Sequence, residues 1–284
     1  MFDKLKAGLL NVGMKFISVD EKIVRMFFET KPSRFKKIVI MPAVKFVMKK
    51  LIDELDSKRK HGRVFNGVLN NTHVSIVRSL VGAPNAAIAI ECLKRCNVDT
   101  IIRIDFCGGL DKINIGDILI PERAYCGDGT SPNYLMKYPT IRHQLNWTEN
   151  PFYEGDTSRL ISERTYQVLP NKKLMKLFLT QFSQLKKVNL WSTDALFCET
   201  NEFINTIKKL NINAVDMETS ILYLLGKIYN IKTVSVLSVS DLPGHEKYDF
   251  LKQNNMHPDM ERGIKNAIKL LIKLLPKISR ISRA

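Results

Sequence analysis

The chain has 284 residues, 45% of them hydrophobic, so it is long enough to bury a large core as one α/β domain. Its 44 Lys and Arg residues outnumber 28 Asp and Glu residues, and the formal net charge of +16 favours anionic partners such as phosphates, nucleic acids or membrane surfaces. No uninterrupted apolar run approaches the roughly 18–20 residues that span a bilayer, so we expect no membrane-spanning helix.

Other features narrow the class of protein. The N-terminal stretch lacks a compact apolar region with a small-residue cleavage site, so we expect no export. Five scattered cysteines fit a reducing compartment, and we expect the protein to be cytoplasmic. Cys92 and Cys96 lie four residues apart, but no second pair follows, so we expect no metal site. Zinc-finger spacing and an RNA-binding aromatic signature are both missing, so nucleic acid is not the expected main partner.

The first 36 residues are predicted to form an amphipathic extension of one or two helices, followed by a single domain over residues 37–284. The apolar positions of this extension stand among lysines and arginines: Leu5, Leu9, Leu10, Phe16, Ile23, Val24, Phe27 and Phe28. We expect this face to pack on the core or on a second subunit. A membrane surface is the alternative.

Apolar periodicity then predicts alternating strands and helices. The predicted strands are 37–41, 64–69, 73–80, 100–104, 113–120, 188–192 and 231–239, and the predicted helices are 44–55, 86–95, 172–184, 202–210, 219–229 and 259–276. The run 56–62 reads as a polar connection. Residues 136–156 show no clear period, which is typical of a lid or an interface arm. The pattern as a whole predicts an α/β protein.

Two polar clusters, Asp216-Met217-Glu218 and Ser240-Asp241, each stand at the edge of an apolar element within a predicted β–α–β unit. The strands of such a unit run parallel, so we expect both clusters at the carboxyl ends of neighbouring strands, where open α/β sheets bind ligands. An ionised carboxylate at a helix start can accept two hydroxyl donors, as a sugar diol offers. The simpler alternative is that Glu218 caps a helix and Asp241 starts a turn.

Arg103 is unusual because it interrupts an apolar strand. A buried guanidinium costs free energy unless it meets an anion. The residues leave two interpretations open: a bound anionic ligand, or an internal salt bridge to a residue such as Asp105 or Glu122.

Four blocks together resemble the purine nucleoside and uridine phosphorylases. IIRIDFCGGLDKINIGDILIPERA is similar to their strand–glycine turn–strand, WSTDALF to their base-side loop, AVDMETSILY to their ribose-binding segment, and SVSD to the strand that ends in their catalytic Asp. The likeness runs from about residue 37 to 241.

The resemblance implies a three-layer α/β/α sandwich with a central mixed, partly barrel-like sheet, assembled as a homo-oligomer from dimers up to hexamers. It implies a pentosyltransferase that cleaves the N-glycosidic bond of a nucleoside. Phosphate is the co-substrate and attacks C1′, the products are free base and ribose 1-phosphate, and no further cofactor is implied. The short segment after the base-side loop favours a purine.

Residue roles follow by position. Met217 and Glu218 would hold the ribose, Glu218 by its 2′ and 3′ hydroxyls. Asp241 would protonate the departing base, which asks for a carboxyl with a raised pKa. Arg103 would bind phosphate. Phe197 would stack on the base, or Leu196 would take that place if the match shifts by one residue, with Asp216 also on the base side.

The phosphate half departs from the family pattern. Residues 41–45 read Met-Pro-Ala-Val-Lys where the family has a Gly-Asp-Pro turn followed by an arginine. Asp105 and Phe106 replace a glycine and a hydroxyl residue, and a carboxylate and a ring there would repel or crowd a phosphate dianion. Two alternatives therefore stand beside the phosphorylase: a hydrolytic nucleosidase, and a catalytically impaired or non-catalytic nucleoside-binding homologue.

Overall fold

The computed structural model describes residues 17–155, 162–252 and 254–283. The first part of the predicted N-terminal extension, with Leu5, Leu9 and Leu10, lies outside the described residues. No described helix is both long enough and apolar enough to cross a membrane.

The chain is built of both helices and strands, as the apolar pattern predicts. The strands are β1 (Ile38–Ile40), β2 (Asp56–His61), β3 (Val64–Leu69), β4 (Thr72–Ile76), β5 (Thr100–Gly109), β6 (Ile118–Cys126), β7 (Trp147–Glu149), β8 (Arg164–Val168), β9 (Lys186–Ser192), β10 (Ala214–Asp216) and β11 (Lys232–Asp241). The α-helices are α1 (Val19–Phe28), α2 (Lys45–Asp53), α3 (Ala83–Lys94), α4 (Ser131–Lys137), α5 (Pro139–His143), α6 (Lys172–Gln181), α7 (Asn201–Lys208), α8 (Thr219–Tyr229) and α9 (Pro258–Arg283).

Five strands close into a barrel. β5 pairs with β11, β11 with β6, β6 with β9, β9 with β10, and β10 again with β5. Beyond β5 the sheet continues through β1, β4 and β3 to the edge strand β2. Parallel and antiparallel pairs both occur, so the predicted mixed, partly barrel-like sheet is confirmed.

The carboxyl end of β5 is the point where the barrel brings the polar clusters together. Gly108 pairs with Val215 of β10 on one side and with Asp241 of β11 on the other. β10 runs antiparallel to β5 whereas β11 runs parallel to it, so the prediction that β10 and β11 are parallel neighbours is wrong. The two clusters meet across β5 because barrel closure places one strand on each of its sides.

Helices cover both faces of the sheet. α2, α6 and α9 bury apolar side chains on one face, including Leu51, Phe178 and Leu271, and α3 and α8 cover the other. α1 packs through Val24 and Phe28 onto the apolar core that α3 and α8 also cover, and packing on the core is one of the expectations for the extension.

Several segments differ from the predicted elements. The strand predicted over 113–120 begins only at Ile118 and continues to Cys126 as β6, because residues 113–117 form a turn. The polar run 56–62 is largely the edge strand β2, which pairs with β3 on one side while its side chains are mostly exposed to water. Residues 136–155 contain the end of α4, the short helix α5 and β7, and β7 pairs with the unpredicted strand β8. These elements lack a clear period because they are short and mostly partly exposed.

Candidate active site

Arg103 lies in the middle of β5 with its side chain only 2% exposed, and carboxylates surround it. Its Nη2 donates a short hydrogen bond to Oε2 of Glu218, and its Nη1 lies 3.0 Å from Oδ2 of Asp216. An internal ion pair is therefore present, but its partners are Asp216 and Glu218 and not Asp105 or Glu122. Burial lowers the pKa of Arg103, but Glu218 and Asp216 more than compensate, so its guanidinium is firmly charged.

Glu218 ends the turn that precedes α8, and its side chain is 3% exposed. Besides the bond from Arg103, its Oε1 accepts a hydrogen bond of 2.6 Å from the backbone N–H of Gly82. Gly82 has a φ of +98°, which glycine adopts without strain, and this conformation starts α3 beside the carboxylate. Burial raises the pKa of Glu218, while Arg103 opposes that rise. The acceptor predicted for ribose is thus fixed in place before any ligand binds.

Asp216 is predicted to lie on the base side, but its contacts are with protein groups. Its carboxylate is fully enclosed and accepts hydrogen bonds from the hydroxyls of Ser192 (2.7 Å) and Thr219 (2.5 Å) as well as the Thr219 N–H (3.0 Å). With Arg103 as a further partner, this carboxylate faces protein groups and leaves no exposed oxygen toward a base.

Asp105 points to the loop that leads from β1 into α2. Its Oδ2 accepts hydrogen bonds from the N–H groups of Ala43 and Val44, the latter at 3.3 Å, and its Oδ1 accepts one of 2.9 Å from the N–H of Phe106. Burial raises the pKa of Asp105, and the charge of Arg103 with these N–H donors opposes the rise. Phe106 lies next along the strand, so it faces the other way, and its ring stacks on Phe46 with centroids 6.4 Å apart.

Asp241 ends β11, and the residue is 8% exposed. Its Oδ1 accepts a hydrogen bond of 2.6 Å from the Ser240 hydroxyl, and its Oδ2 accepts a long one of 3.4 Å from the Phe250 N–H. Burial, with a smaller contribution from Asp249 and against the two hydrogen bonds, raises the pKa of Asp241 to about 6. A carboxyl of this kind is protonated in weakly acidic solution and in a minor fraction of molecules at neutral pH, so it can act as a general acid.

Glu199 is a neighbour that the sequence did not single out. Burial, together with the negative charges of Asp241, Asp249 and Asp216, raises its pKa to about 8. Nothing in the local sequence distinguishes Glu199 from a surface carboxylate. Only the fold brings the base-side loop next to the end of β11.

Met217 and Phe197 complete the predicted set. Met217 is half-buried between Asp216 and Glu218. The ring of Phe197 is 83% exposed, on a short 3₁₀ turn (Leu196–Cys198) beside Glu199. The fold therefore leaves this aromatic face free, in the same loop as a carboxyl that interacts with Asp241.

The chain is similar in sequence to known proteins of one superfamily. The model of the phosphorylase superfamily matches residues 37–276. The purine nucleoside phosphorylase of the DeoD type from Buchnera aphidicola subsp. Acyrthosiphon pisum is 26% identical over 221 residues, which cover 75% of this chain and 85% of that protein.

Solved structures share the fold. Uridine phosphorylase from Vibrio fischeri superposes with a TM-score of 0.68 at 22% identity, covering 87% of this chain and 93% of the other. The 5′-methylthioadenosine/S-adenosylhomocysteine nucleosidase of Campylobacter jejuni superposes with a TM-score of 0.62 at 16% identity, covering 85% of this chain and 99% of the other. The family predicted from the four sequence blocks is confirmed, and the chain belongs to the phosphorylase superfamily.

Proposed function

We propose that this protein cleaves the N-glycosidic bond of a purine nucleoside, with phosphate as the attacking group and ribose 1-phosphate as the second product. The observation that carries the proposal is that two buried carboxyl groups belong to the segments flanking the end of β5: Asp241 pairs with Gly108 on one side, and Glu218 follows the strand whose Val215 pairs with Gly108 on the other. The purine preference is supported by the name of the DeoD-type relative.

Each group has a chemical role in the proposed reaction. Glu218 accepts hydrogen bonds from the ribose hydroxyls through lone pairs that Arg103 and Gly82 leave free, and Met217 packs on the sugar. Asp241 donates its proton to the departing base, which removes the negative charge from the leaving group. The exposed ring of Phe197 stacks on the base.

Arg103 and Asp216 act together on the phosphate side of this proposal. Nε of Arg103 forms no hydrogen bond within the described part of the chain, so it remains available to an anion. Asp216 holds the guanidinium in place, and we assign it this positioning role in place of the predicted contact with the base.

Hydrolysis by water is the second candidate, and the contacts of Asp105 favour it. This carboxylate already occupies the N–H groups of Ala43 and Val44, at the loop where the family resemblance implies phosphate binding. A nucleosidase with this fold is known from Campylobacter jejuni.

The test is to offer inosine, guanosine, adenosine and uridine with and without phosphate, and to follow release of the base. Phosphate-dependent release from a purine nucleoside is the expected result. Release that is independent of phosphate identifies a nucleosidase. Binding without any release contradicts the enzymatic proposal and identifies a non-catalytic homologue.

We also propose a cytoplasmic homo-oligomer. The location is supported by the five cysteines, all of which are free thiols. The assembly rests on the family resemblance alone.

A further inference from the structure

The loop between β1 and α2 has the geometry of an anion site. The backbone N–H groups of Ala43 and Val44 come immediately before the helix that begins at Lys45, and both point at one oxygen of Asp105. Consecutive N–H groups at a helix start concentrate positive potential and bind carboxylates or phosphates. Here the anion comes from the protein itself, because Asp105 follows Ala43 by 62 residues and Val44 by 61 residues.

Arg103 adds a second set of donors beside this carboxylate. Arg103 and Asp105 lie two residues apart on β5, so their side chains leave the same face of the strand, and their charges interact. The guanidinium is 2% exposed; Nη1 is ion-paired with Asp216 and Nη2 bonds to Glu218, but Nε makes no hydrogen bond to any described residue. A buried donor without an acceptor is costly, which indicates that this pocket is built to take a further acceptor.

Three acidic side chains already surround the single guanidinium of Arg103. Asp105, Asp216 and Glu218 all interact with the one guanidinium. A phosphate dianion that entered in the presence of an ionised Asp105 would meet like charge and would have to displace its bonds to Ala43 and Val44.

We propose that Asp105 is a built-in competitor of phosphate: its carboxylate occupies the N–H groups of the β1–α2 loop and thereby weakens the binding of inorganic phosphate beside Arg103. The inference rests on the proposed function only for the identity of the anion. If the pocket is open to phosphate in about one molecule in ten, the apparent affinity is about tenfold weaker than that of an open pocket.

The experiment compares phosphate binding by calorimetry in the wild type, Asp105→Ser and Asp105→Asn. Asp105→Ser removes the charge and opens space, so we expect phosphate affinity to rise by about tenfold or more. Asp105→Asn keeps the shape and one acceptor oxygen, so we expect a smaller gain. The same replacement at Asp99, an acid just before the opposite end of β5, removes equal charge and should leave phosphate affinity unchanged.

Steady-state kinetics give a second readout on these proteins. The KM for phosphate should fall in Asp105→Ser while the KM for the nucleoside stays within about threefold, because Glu218 and Asp241 keep their contacts. Should Asp105→Ser not fold, Asp105→Asn decides the question, since it preserves the packing.

Equal phosphate affinity in the wild type and both variants would overturn the inference, as would a loss of affinity in the variants. If no nucleoside is cleaved by any of these proteins, the proposed function fails, but calorimetry still decides whether Asp105 competes with phosphate.

Discussion

Single residues control the charge of the site. Arg103 is the centre of its buried ionic groups, because Glu218 and Asp216 both pair with it away from water. Breaking one side of a buried pair leaves the other charge without compensation. The same residues that are proposed to bind substrate therefore also stabilise the fold.

Replacement of Glu218 by Ala should for this reason cost stability as well as ribose binding. We expect the free energy of unfolding to fall by about 3–5 kcal/mol, because Arg103 remains buried with less compensation. Urea denaturation measures this change. Glu218→Gln, which keeps an acceptor for Arg103, should lose less. Full stability in Glu218→Ala would show that Arg103 does not depend on this partner.

Asp241→Asn should spare nucleoside binding and slow release of the base by about 100-fold or more, because an amide cannot supply the proton. Equilibrium binding and turnover of the same preparation separate the two effects. Asp99→Asn is the matched control and should retain wild-type turnover. An equal loss of binding and turnover in Asp241→Asn would argue against the proton-donor role.

The pH dependence follows from the same carboxyl. Burial raises the pKa of Asp241 to about 6, and the protonated form is the active one, so activity is present below that pH and is lost as the pH rises through it. We expect kcat/KM to fall about tenfold per pH unit above this range. Measuring kcat/KM from pH 5 to 9 shows whether activity falls as the pH rises. In an Asp241→Asn variant this fall should be absent. A rate that rises across the same range would contradict a general-acid role.

At the scale of secondary-structure elements, Gly108 at the end of β5 allows the neighbouring segments to pack closely against this strand. A Cβ on Gly108 would lie 2.6 Å from the Pro243 ring and 2.8 Å from the Val215 side chain. Both distances are shorter than any Cβ contact that the packing could accept. The absence of a side chain here is what lets β10 and the turn after β11 approach β5 together.

The helix α9 covers the face of the sheet on which α2 and α6 also pack. Leu271 is fully buried there in the same core as Val234 and Val236 of β11. Leu271→Ala should lower the free energy of unfolding by about 2–5 kcal/mol through lost burial and a cavity. Lys269→Ala, at an exposed position on the same helix, should change it by less than about 0.5 kcal/mol. Urea denaturation of both variants measures the contrast, and similar values would mean that α9 contributes little to the core.

At the scale of the whole molecule, we expect the protein to assemble as a homo-oligomer. Exposed apolar side chains occur on α1 and α3, which pack together, including Met26 (65% exposed) and Ile88 (40%). We propose that these side chains form the contact with a second copy. We expect light scattering after size exclusion to give a mass that is a multiple of 32.5 kDa. Paired Met26→Lys and Ile88→Lys changes test this face, and a monomer at micromolar concentration would refute the prediction.

The sequence by itself determined the α/β class, most helices and the family, because apolar periodicity and four local blocks are properties of neighbouring residues. It also placed Asp241 at a strand end and identified Arg103 as a buried charge in need of an anion. The order of strands in the barrel, the partners of Arg103 and the position of Glu199 depended on tertiary structure. Closure of the barrel brings together residues more than 100 positions apart, such as Arg103 and Glu218, and no local pattern encodes which carboxylate a buried guanidinium will meet.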